Sequence, residues 1–407
     1  MADFGGDAEA FRADARAWLE ANFPPSLKGK AGLGYIEDAN PDDADIKAWT
    51  KAMGDKGWGV PTWPKAYGGG GLTPAEARVL QQEMRRIGAW NPIGGMGTMM
   101  FGPTLLEYGT EEQKKKHITA IARQEVRWCQ GFSEPGAGSD LASLQTKAED
   151  KGDHFLVNGQ KIWTSGAQWS DMCFCLVRTD TTRKHEGISF VLIDMHDPGV
   201  EVRPIKLIAG ASPFCETFFT DVKVPKENLV GPLNGGWTIA KRLLQHERSG
   251  MGGGEGGGGG GGLFGVGGSP ARLAKDYVAT DAAGRIADTD LRSRIIGHEM
   301  DSRALQLTAF RMMAEAKSNQ GPSAVTSIMK NAATRVGQDR AELIVELMGF
   351  QGLGWEGEGF TPDELATVRG WLGGKALTIF GGSFEIQNNI ISKRILGLPD
   401  PLGASSN

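Results

Sequence analysis

A short loop near residue 130 carries the residues best suited to hold a ligand. The stretch from Trp128 to Asp140 reads Trp-Cys-Gln-Gly-Phe-Ser-Glu-Pro-Gly-Ala-Gly-Ser-Asp. Its three glycines allow tight turns and a close approach of the backbone to a bound molecule. Hydroxyl groups at Ser133 and Ser139 alternate with these turns, and Pro135 stiffens the centre. The combination predicts a loop that holds a planar or phosphorylated ligand against exposed backbone amides.

A glutamate that continues an apolar helical face is the second candidate for chemistry. Ile239, Leu243 and Glu247 are spaced four residues apart, which places them on one face of a helix predicted over 237–248. A carboxylate buried there without a cation would have the raised pKa that a general base needs. The spacing also allows the alternative that Glu247 turns to solvent or pairs with Arg248.

Two strings of residues resemble the flavin-binding segment of the acyl-CoA dehydrogenase family. They are Ser-Glu-Pro-Gly-Ala-Gly-Ser-Asp at 133–140 and Asn-Gly-Gln-Lys-Ile-Trp-Thr-Ser at 158–165. The resemblance extends from the first helices to Leu398. Within the family, the chain is most similar to the pimeloyl-CoA dehydrogenase large-subunit group and its bulky-acyl relatives. That narrower resemblance depends on the strings at 128–132, 188–194 and 246–250.

The resemblance implies an α+β fold of three domains, and the residue patterns change at the same places. We expect a helical N-terminal domain at 1–126, a middle antiparallel β-barrel domain at 127–232, and a C-terminal domain resembling a four-helix bundle at 233–407. The glycine-rich segment at 250–268 departs from the family. Each glycine costs roughly 1 kcal/mol in a helix interior relative to alanine, so we interpret this segment as a flexible insertion.

Local signals predict the individual elements. Thr73–Glu76 and Thr110–Gln113 have the pattern of capping boxes that begin helices. Asn158-Gly159 at the centre of 155–163 favours a two-residue hairpin turn. Further strands are predicted at 173–178, 188–195, 200–207 and 214–224, and further helices at 271–278, 291–317, 323–348 and 383–396.

The resemblance also assigns roles in catalysis. Part of the family places its catalytic base where this chain has Glu247, followed by Arg248, which we assign to substrate binding. The commoner base position lies in the C-terminal loop, where this chain has Gly381. Gly381 has no side chain, so we expect its backbone N–H to donate to the thioester carbonyl. The glycine also leaves room for the Glu247 carboxylate.

Cofactor and coenzyme contacts carry over position by position. Ser139 matches a contact to the pantetheine-phosphate arm of CoA. The residues that match contacts to the isoalloxazine ring of FAD are Phe132, Ser133, Trp163 and Ser165, and those that match contacts to its adenosine half are Ser383 and Glu385. Ordinary core packing is the alternative for Trp163.

Two family elements have no match. The Arg-x-x-Phe-Gly element, which reaches the FAD of a neighbouring subunit, is replaced by Ala-Arg-Leu-Ala-Lys-Asp-Tyr at 271–277. The Gln-x-x-Gly-Gly element is replaced by Glu-Leu-Met-Gly-Phe at 346–350. The absence of these elements is expected if the partner subunit differs from this one. The sequence therefore allows both a homotetramer and a heterotetramer with a related subunit.

The implied function is FAD-dependent dehydrogenation of an acyl-CoA to the trans-2-enoyl-CoA, with electrons passed to an electron-transfer flavoprotein. The alternatives are a binding or scaffold subunit of a heteromeric enzyme, and a flavin oxidase. Residues 91–104, rich in glycine and methionine, either pack in the core or line the acyl pocket.

Composition limits the class of protein. A net charge of −5 over 407 residues argues against nucleic acid as the main partner. The four cysteines show no metal-ligand spacing, and Cys173 and Cys175 face one side of a strand, so we expect buried free thiols in a reducing compartment. We expect no membrane span, no metal and a cytoplasmic location.

Overall fold

The structure is a computed structural model that describes the backbone over residues 6–28, 43–252, 269–318 and 326–399. Side chains are described over 9–28, 43–246, 269–312 and 328–399. The glycine-rich insertion predicted at 250–268 lies outside the described residues, apart from the helical backbone up to Gly252.

The described residues form two compact units. The first comprises 6–28, 43–206 and 212–250, and so contains the N-terminal helices, the sheet and the helix that carries Glu247. The second comprises 207–211, 251–252, 269–318 and 326–399.

Short helices interrupted by π-helical turns form the N-terminal part. The two predicted capping boxes are confirmed: Thr73 caps with Glu76, and Thr110 caps with Gln113. The π turns lie at Gly97–Phe101 and Lys114–Ile118. The helices are α1 (Gly6–Asn22), α2 (Ala44–Lys56), α3 (Pro74–Ile87), α4 (Gly102–Tyr108), α5 (Glu111–Gln113) and α6 (Thr119–Ala122).

The middle of the chain is one sheet of eight strands within the described residues. They are β1 (Trp128–Gly131), β2 (Lys147–Asp150), β3 (His154–Ser165), β4 (Met172–Arg178), β5 (Ile188–Asp194), β6 (Val200–Ile205), β7 (Phe214–Pro225) and β8 (Leu229–Val230). The strand order is β6-β7-β3-β2-β4-β5-β8, with β1 beside β4. Most pairs are antiparallel, but β1 and β2 both pair with β4 in parallel.

The predicted hairpin at Asn158-Gly159 is wrong. Both residues lie inside the continuous strand β3, and the pairing with β7 shifts by one residue between Val157 and Gly159. The extra residue on β7 is accommodated by Asp221, which has φ 52°. Asn158 Nδ2 donates to Asp221 Oδ1 at 3.0 Å, and the Asp221 N–H donates to Asn158 Oδ1 at 2.9 Å. The Asn-Gly pair thus forms part of a β-bulge instead of a turn.

Aromatic rings join the N-terminal helices to the sheet. Phe101 stacks on Phe174 with ring centroids 5.3 Å apart, and its centroid lies 4.1 Å from that of Trp128. Met100 is buried in this cluster, as the core-packing alternative predicted, whereas Met99 is 42% exposed. On the other face of the sheet all four cysteines are buried and free, which confirms the expectation for these thiols.

Helices form the second unit, with α10 packed against the other four. These helices are α8 (Pro270–Tyr277), α9 (Thr289–Ser318), α10 (Thr326–Leu347), α11 (Pro362–Gly374) and α12 (Phe384–Ile390). They are preceded by α7 (Gly236–Gly252), whose first part belongs to the first unit. Helix α11 was not predicted, although Thr361 and Glu364 form its capping box. A π-helical turn at Ile391–Ile395 continues α12.

Candidate flavin and acyl-CoA site

The loop that follows β1 begins at a position where only glycine fits. A Cβ on Gly131 would lie 2.8 Å from the Cys173 Sγ and 2.9 Å from the Cys175 Sγ. Both thiols therefore lie on the same side of β4, and they face the end of β1. The glycine lets the two strands approach closely, so the loop begins where β1 lies beside β4.

Phe132 and Ser133 are fixed by contacts at the start of this loop. The Phe132 ring is buried and meets Phe174 edge to face, with centroids 6.0 Å apart. The Ser133 carbonyl accepts a hydrogen bond from the Ile162 N–H at 2.9 Å. The loop therefore runs alongside β3, the strand that carries Trp163 and Ser165.

Trp163 stands out from the sheet because it is the extra residue of a second β-bulge. The pairing of β3 with β7 shifts between Lys161 and Thr164, and Trp163 has φ 60°. A left-handed conformation is uncommon for a bulky residue and costs of order 1–3 kcal/mol. The side chain is 53% exposed, and among the described aromatic rings its one contact is with Phe214, in a T-shaped arrangement with centroids 6.1 Å apart. An indole this exposed does not fit core packing, the alternative for Trp163.

Two serines belong to the segments that adjoin this exposed indole: Ser165 follows it by two residues on β3, and the Ser133 carbonyl accepts from the Ile162 N–H that precedes it. Within the described part of the chain, the side chains of Ser133 and Ser165 make no hydrogen bond, and both residues are half-buried. An exposed aromatic ring and two uncommitted hydroxyls on adjoining segments are groups that suit the face and edge of a planar heteroaromatic ring. The residues present therefore fit an isoalloxazine.

Further along the loop, Ser139 is exposed, as a contact to a coenzyme arm requires. A Cβ on Gly136 or Gly138 would meet nothing within 4 Å, so this part of the loop is open to a ligand. Asp140, the residue after Ser139, pairs with Lys184 at 2.8 Å.

Arg178 holds the end of this loop, and sequence reasoning missed it. Its guanidinium donates to the carbonyls of Ala142 at 2.6 Å and Leu144 at 3.2 Å.

The helix α7 places the predicted apolar face inside the first unit. Ile239 and Leu243 are buried, at 1% and 0% exposure. The backbone of Glu247 continues this helix, but the side chains of Glu247 and Arg248 lie outside the described residues. Their roles stay predictions.

Gly381 lies in a turn of the second unit. It has φ 67°, and its carbonyl accepts from Gln387 Nε2 at 2.9 Å. Ser383 is the N-cap of α12 and accepts from the Ile386 N–H. Glu385 is exposed, and its pKa is lowered chiefly by a hydrogen bond from the Ser383 hydroxyl.

The two unmatched family elements have local partners instead. Glu346 stands in the position of the family's first glutamine, and it forms a double ion pair with Arg294 at 2.5 and 2.6 Å. Tyr277, the last residue of the replaced segment at 271–277, donates to Glu364 at 2.8 Å. The described residues contain no cluster suited to a metal ion. None of the helices that the structure describes could span a bilayer.

Comparison with known proteins identifies the class. Three family models match consecutive parts of the chain: acyl-CoA dehydrogenase N-terminal domain at 6–125, middle domain at 129–222 and C-terminal domain at 234–396. The chain belongs to the acyl-CoA dehydrogenase family of oxidoreductases, and it has the fold of that family.

Among individual relatives, the chain is 35% identical over 398 residues to the acyl-CoA dehydrogenase IpdE1 of Mycobacterium tuberculosis, which covers 97% of this chain and 98% of that protein. The solved ChsE4-ChsE5 complex from Mycobacterium tuberculosis is 29% identical, with a TM-score of 0.74 and coverage of 98% and 100%. The Tcur3481-Tcur3483 steroid ACAD is 30% identical, with a TM-score of 0.73 and coverage of 97% and 98%.

Proposed function

We propose that the protein catalyses FAD-dependent α,β-dehydrogenation of an acyl-CoA thioester to the trans-2-enoyl-CoA, and that it passes the electrons to an electron-transfer flavoprotein. One observation carries the proposal. The bulge of β3 presents Trp163 to solvent, and the uncommitted hydroxyls belong to Ser165, two residues further along the strand, and to Ser133, whose carbonyl accepts from the Ile162 N–H beside it. Family membership supports the class of reaction, and this surface is the position proposed for the ring.

Six residues are proposed to hold FAD. Phe132, Ser133, Trp163 and Ser165 would contact the isoalloxazine, and Ser383 and Glu385 would contact the adenosine half. When bound, FAD accepts the hydride that leaves the β-carbon of the substrate.

Glu247 would act as the base for the α-proton. Loss of that proton to Glu247 and of the β-hydrogen as hydride leaves a double bond between the two carbons. The thioester carbonyl needs hydrogen-bond donors as negative charge develops on its oxygen. Within the described residues the Gly381 N–H donates no hydrogen bond, so it can supply one of them. Arg248 and Ser139 would hold the coenzyme portion.

The substrate class proposed is a bulky, ring-bearing acyl-CoA. The support is the resemblance to bulky-acyl relatives, together with the similarity to a solved steroid ACAD. Two of the similar solved structures are named as assemblies of two different chains. We therefore favour a heterotetramer with a related subunit over a homotetramer, and we place the enzyme in the cytoplasm.

The experiment is a test of flavin content and of turnover. The chain is purified alone and with a co-expressed related subunit, and flavin absorbance is recorded before and after incubation with FAD. Short-chain, branched, dicarboxylyl and ring-bearing acyl-CoAs are then compared with an artificial electron acceptor and with oxygen. Protein that stays colourless in every preparation refutes the cofactor assignment. Equal turnover with oxygen would favour the oxidase alternative.

A scaffold subunit is the second candidate, and two observations favour it. Glu346 is occupied by Arg294, and the segment at 271–277 carries no Arg-x-x-Phe-Gly. Flavin that binds only to the co-expressed assembly, and turnover that survives loss of the Glu247 carboxylate, would support this candidate.

A further inference from the structure

A buried ion pair joins the loop and the strand that carry the proposed flavin-ring residues. The Lys161 side chain is completely buried, and Glu134 is 8% exposed. The Lys161 ammonium lies 2.8 Å from Glu134 Oε1 and donates to the Phe132 carbonyl at 3.1 Å. The ammonium therefore joins two positions of the loop, Phe132 and Glu134, to strand β3.

The Glu134 carboxylate also closes the far end of the loop. It accepts hydrogen bonds from the backbone N–H groups of Gln145 at 2.6 Å and Thr146 at 2.8 Å. Burial favours protonation of this carboxyl, but Lys161 and these donors outweigh burial and keep the pKa of Glu134 below its ordinary value. The ion pair is thus satisfied by directional bonds on both sides, as a buried pair requires.

A backbone bond completes the connection between loop and strand. The Ile162 N–H donates to the Ser133 carbonyl at 2.9 Å. Three consecutive loop residues, 132 to 134, are therefore bound to two consecutive strand residues, Lys161 and Ile162. Trp163 is the next residue along β3, so its bulge begins where this connection ends.

Buried ion pairs contribute little net stability, because desolvation offsets their attraction. Their distinctive effect is to fix geometry. Here the fixed quantity is the spacing between Ser133 on the loop and Trp163 and Ser165 on the strand.

We propose that Lys161 and Glu134 are positioning residues that set the distance between the two halves of the flavin-ring site. The inference rests on the proposed FAD function. A neutral pair of similar volume should preserve the fold and lose the spacing. FAD should then bind about tenfold more weakly, the effect of roughly one lost hydrogen bond, and the spectrum of the bound flavin should change.

The test compares the double variant Lys161→Met/Glu134→Gln with wild type as full-length chains, each co-expressed with its partner if wild type requires one. Glu134→Asp is the second variant, because it retains the charge and retracts the carboxylate by one methylene. The matched control is Glu83→Gln, which neutralises a buried carboxylate between α1 and α3, away from the sheet. Readouts are the FAD dissociation constant, the visible absorption and circular dichroism of bound flavin, and urea unfolding of the apoprotein.

We expect both sheet variants to bind FAD more weakly and to shift the flavin spectrum, whereas Glu83→Gln lowers the urea midpoint and leaves the spectrum unchanged. Wild-type affinity and spectrum in both sheet variants would overturn the inference while the proposed function stands. The inference is also overturned if the FAD affinity of the sheet variants falls only in proportion to their loss of stability, in the ratio that Glu83→Gln shows. A wild-type protein that binds no FAD would instead overturn the proposed function and this inference together.

Discussion

The hydroxyl of Tyr277, at the end of α8, donates a hydrogen bond to the Glu364 carboxylate at 2.8 Å. Glu364 is also the residue that closes the capping box of α11 with Thr361. The Glu364 carboxylate therefore both accepts from the end of α8 and caps the first turn of α11, so it connects the two helices. Burial, followed by the bond to Glu364, raises the pKa of Tyr277 to about 12.

Replacement of Tyr277 by phenylalanine should destabilise the second unit modestly. The ring is kept, and one hydrogen bond to a charged acceptor is lost, so the free energy of unfolding should fall by about 1 kcal/mol. Because the folded pKa is raised, this advantage is fully present below about pH 10, the ordinary tyrosine pKa, and disappears as pH rises through 12. Urea unfolding at pH 7 and near pH 11 measures both effects. Tyr108→Phe is the control, since the Tyr108 hydroxyl has no hydrogen bond within the described residues. Identical unfolding of Tyr277→Phe and wild type would contradict the assignment.

Glu247→Gln should abolish turnover while it preserves binding. Amide and carboxylate have nearly the same shape, but the amide cannot accept the α-proton, and loss of a general base costs roughly 10²- to 10⁴-fold in rate. Stopped-flow reduction of bound flavin measures the chemical step, and titration with acyl-CoA measures affinity. Flavin reduction at the wild-type rate would place the base on another segment.

Gly381 provides the companion experiment. Gly381→Glu puts a second carboxylate where other family members have their base, so it should inhibit the wild type and partly rescue Glu247→Gln. Any side chain is strained at φ 67°. Gly381→Ala therefore measures the strain alone, and the rescue must exceed what Gly381→Ala produces in the same background.

Trp163→Gly should separate stability from cofactor binding. Glycine relieves the left-handed conformation, which favours the variant by about 1 kcal/mol, and the exposed indole gives up little packing. The apoprotein should therefore unfold at the same or a higher urea concentration, while FAD affinity falls at least about tenfold. Trp163→Phe keeps an aromatic face and should retain most of the affinity. A clear loss of apoprotein stability in Trp163→Gly would show that the indole is a packing residue after all.

His117 should make the protein less stable in mild acid. Burial against Trp128 lowers the pKa of His117 to about 4, from an ordinary value near 6.5. As pH falls, the folded state therefore binds a proton on His117 at a lower pH than the unfolded state does. The contribution of neutral His117 to the free energy of unfolding is fully present above pH 6.5 and is lost as pH falls toward 4. His117→Gln should flatten the pH dependence of urea unfolding across this window, and the control His196→Gln, at an exposed position, should not. An unchanged slope in His117→Gln would refute the assignment.

Local chemistry was enough to predict the features that depend on near neighbours in the chain. The capping boxes at Thr73 and Thr110 are made by residues three apart, so the sequence alone contains both partners. The position of the Cys173 and Cys175 thiols on one side of β4 follows from the alternation of side chains along a strand.

Features that depend on distant partners were predicted poorly. Asn158-Gly159 has the composition of a turn, but Asp221, 63 residues later, pairs with it across a bulge. The exposed position of Trp163 depends on its register with β7. Lys161 reads as a polar residue of a half-exposed strand, and only Glu134 and Phe132 explain why it is buried. No local pattern contains these pairings, because each is set where two separate segments meet.

The parallel pairing of β1 with β4 has a consequence for the order of assembly on the ribosome. Cys129 pairs with Cys173, so the strand that precedes the flavin loop has no neighbour until 44 more residues have been made. Strand β7, which pairs with β3, is synthesised later still, since Phe155 pairs with Val224. Contacts of such long sequence separation form slowly, because closure of the intervening chain costs entropy before the contact is made. The nascent chain therefore cannot complete the surface proposed for the flavin ring until synthesis has passed β7, and loading of the proposed cofactor would follow that point.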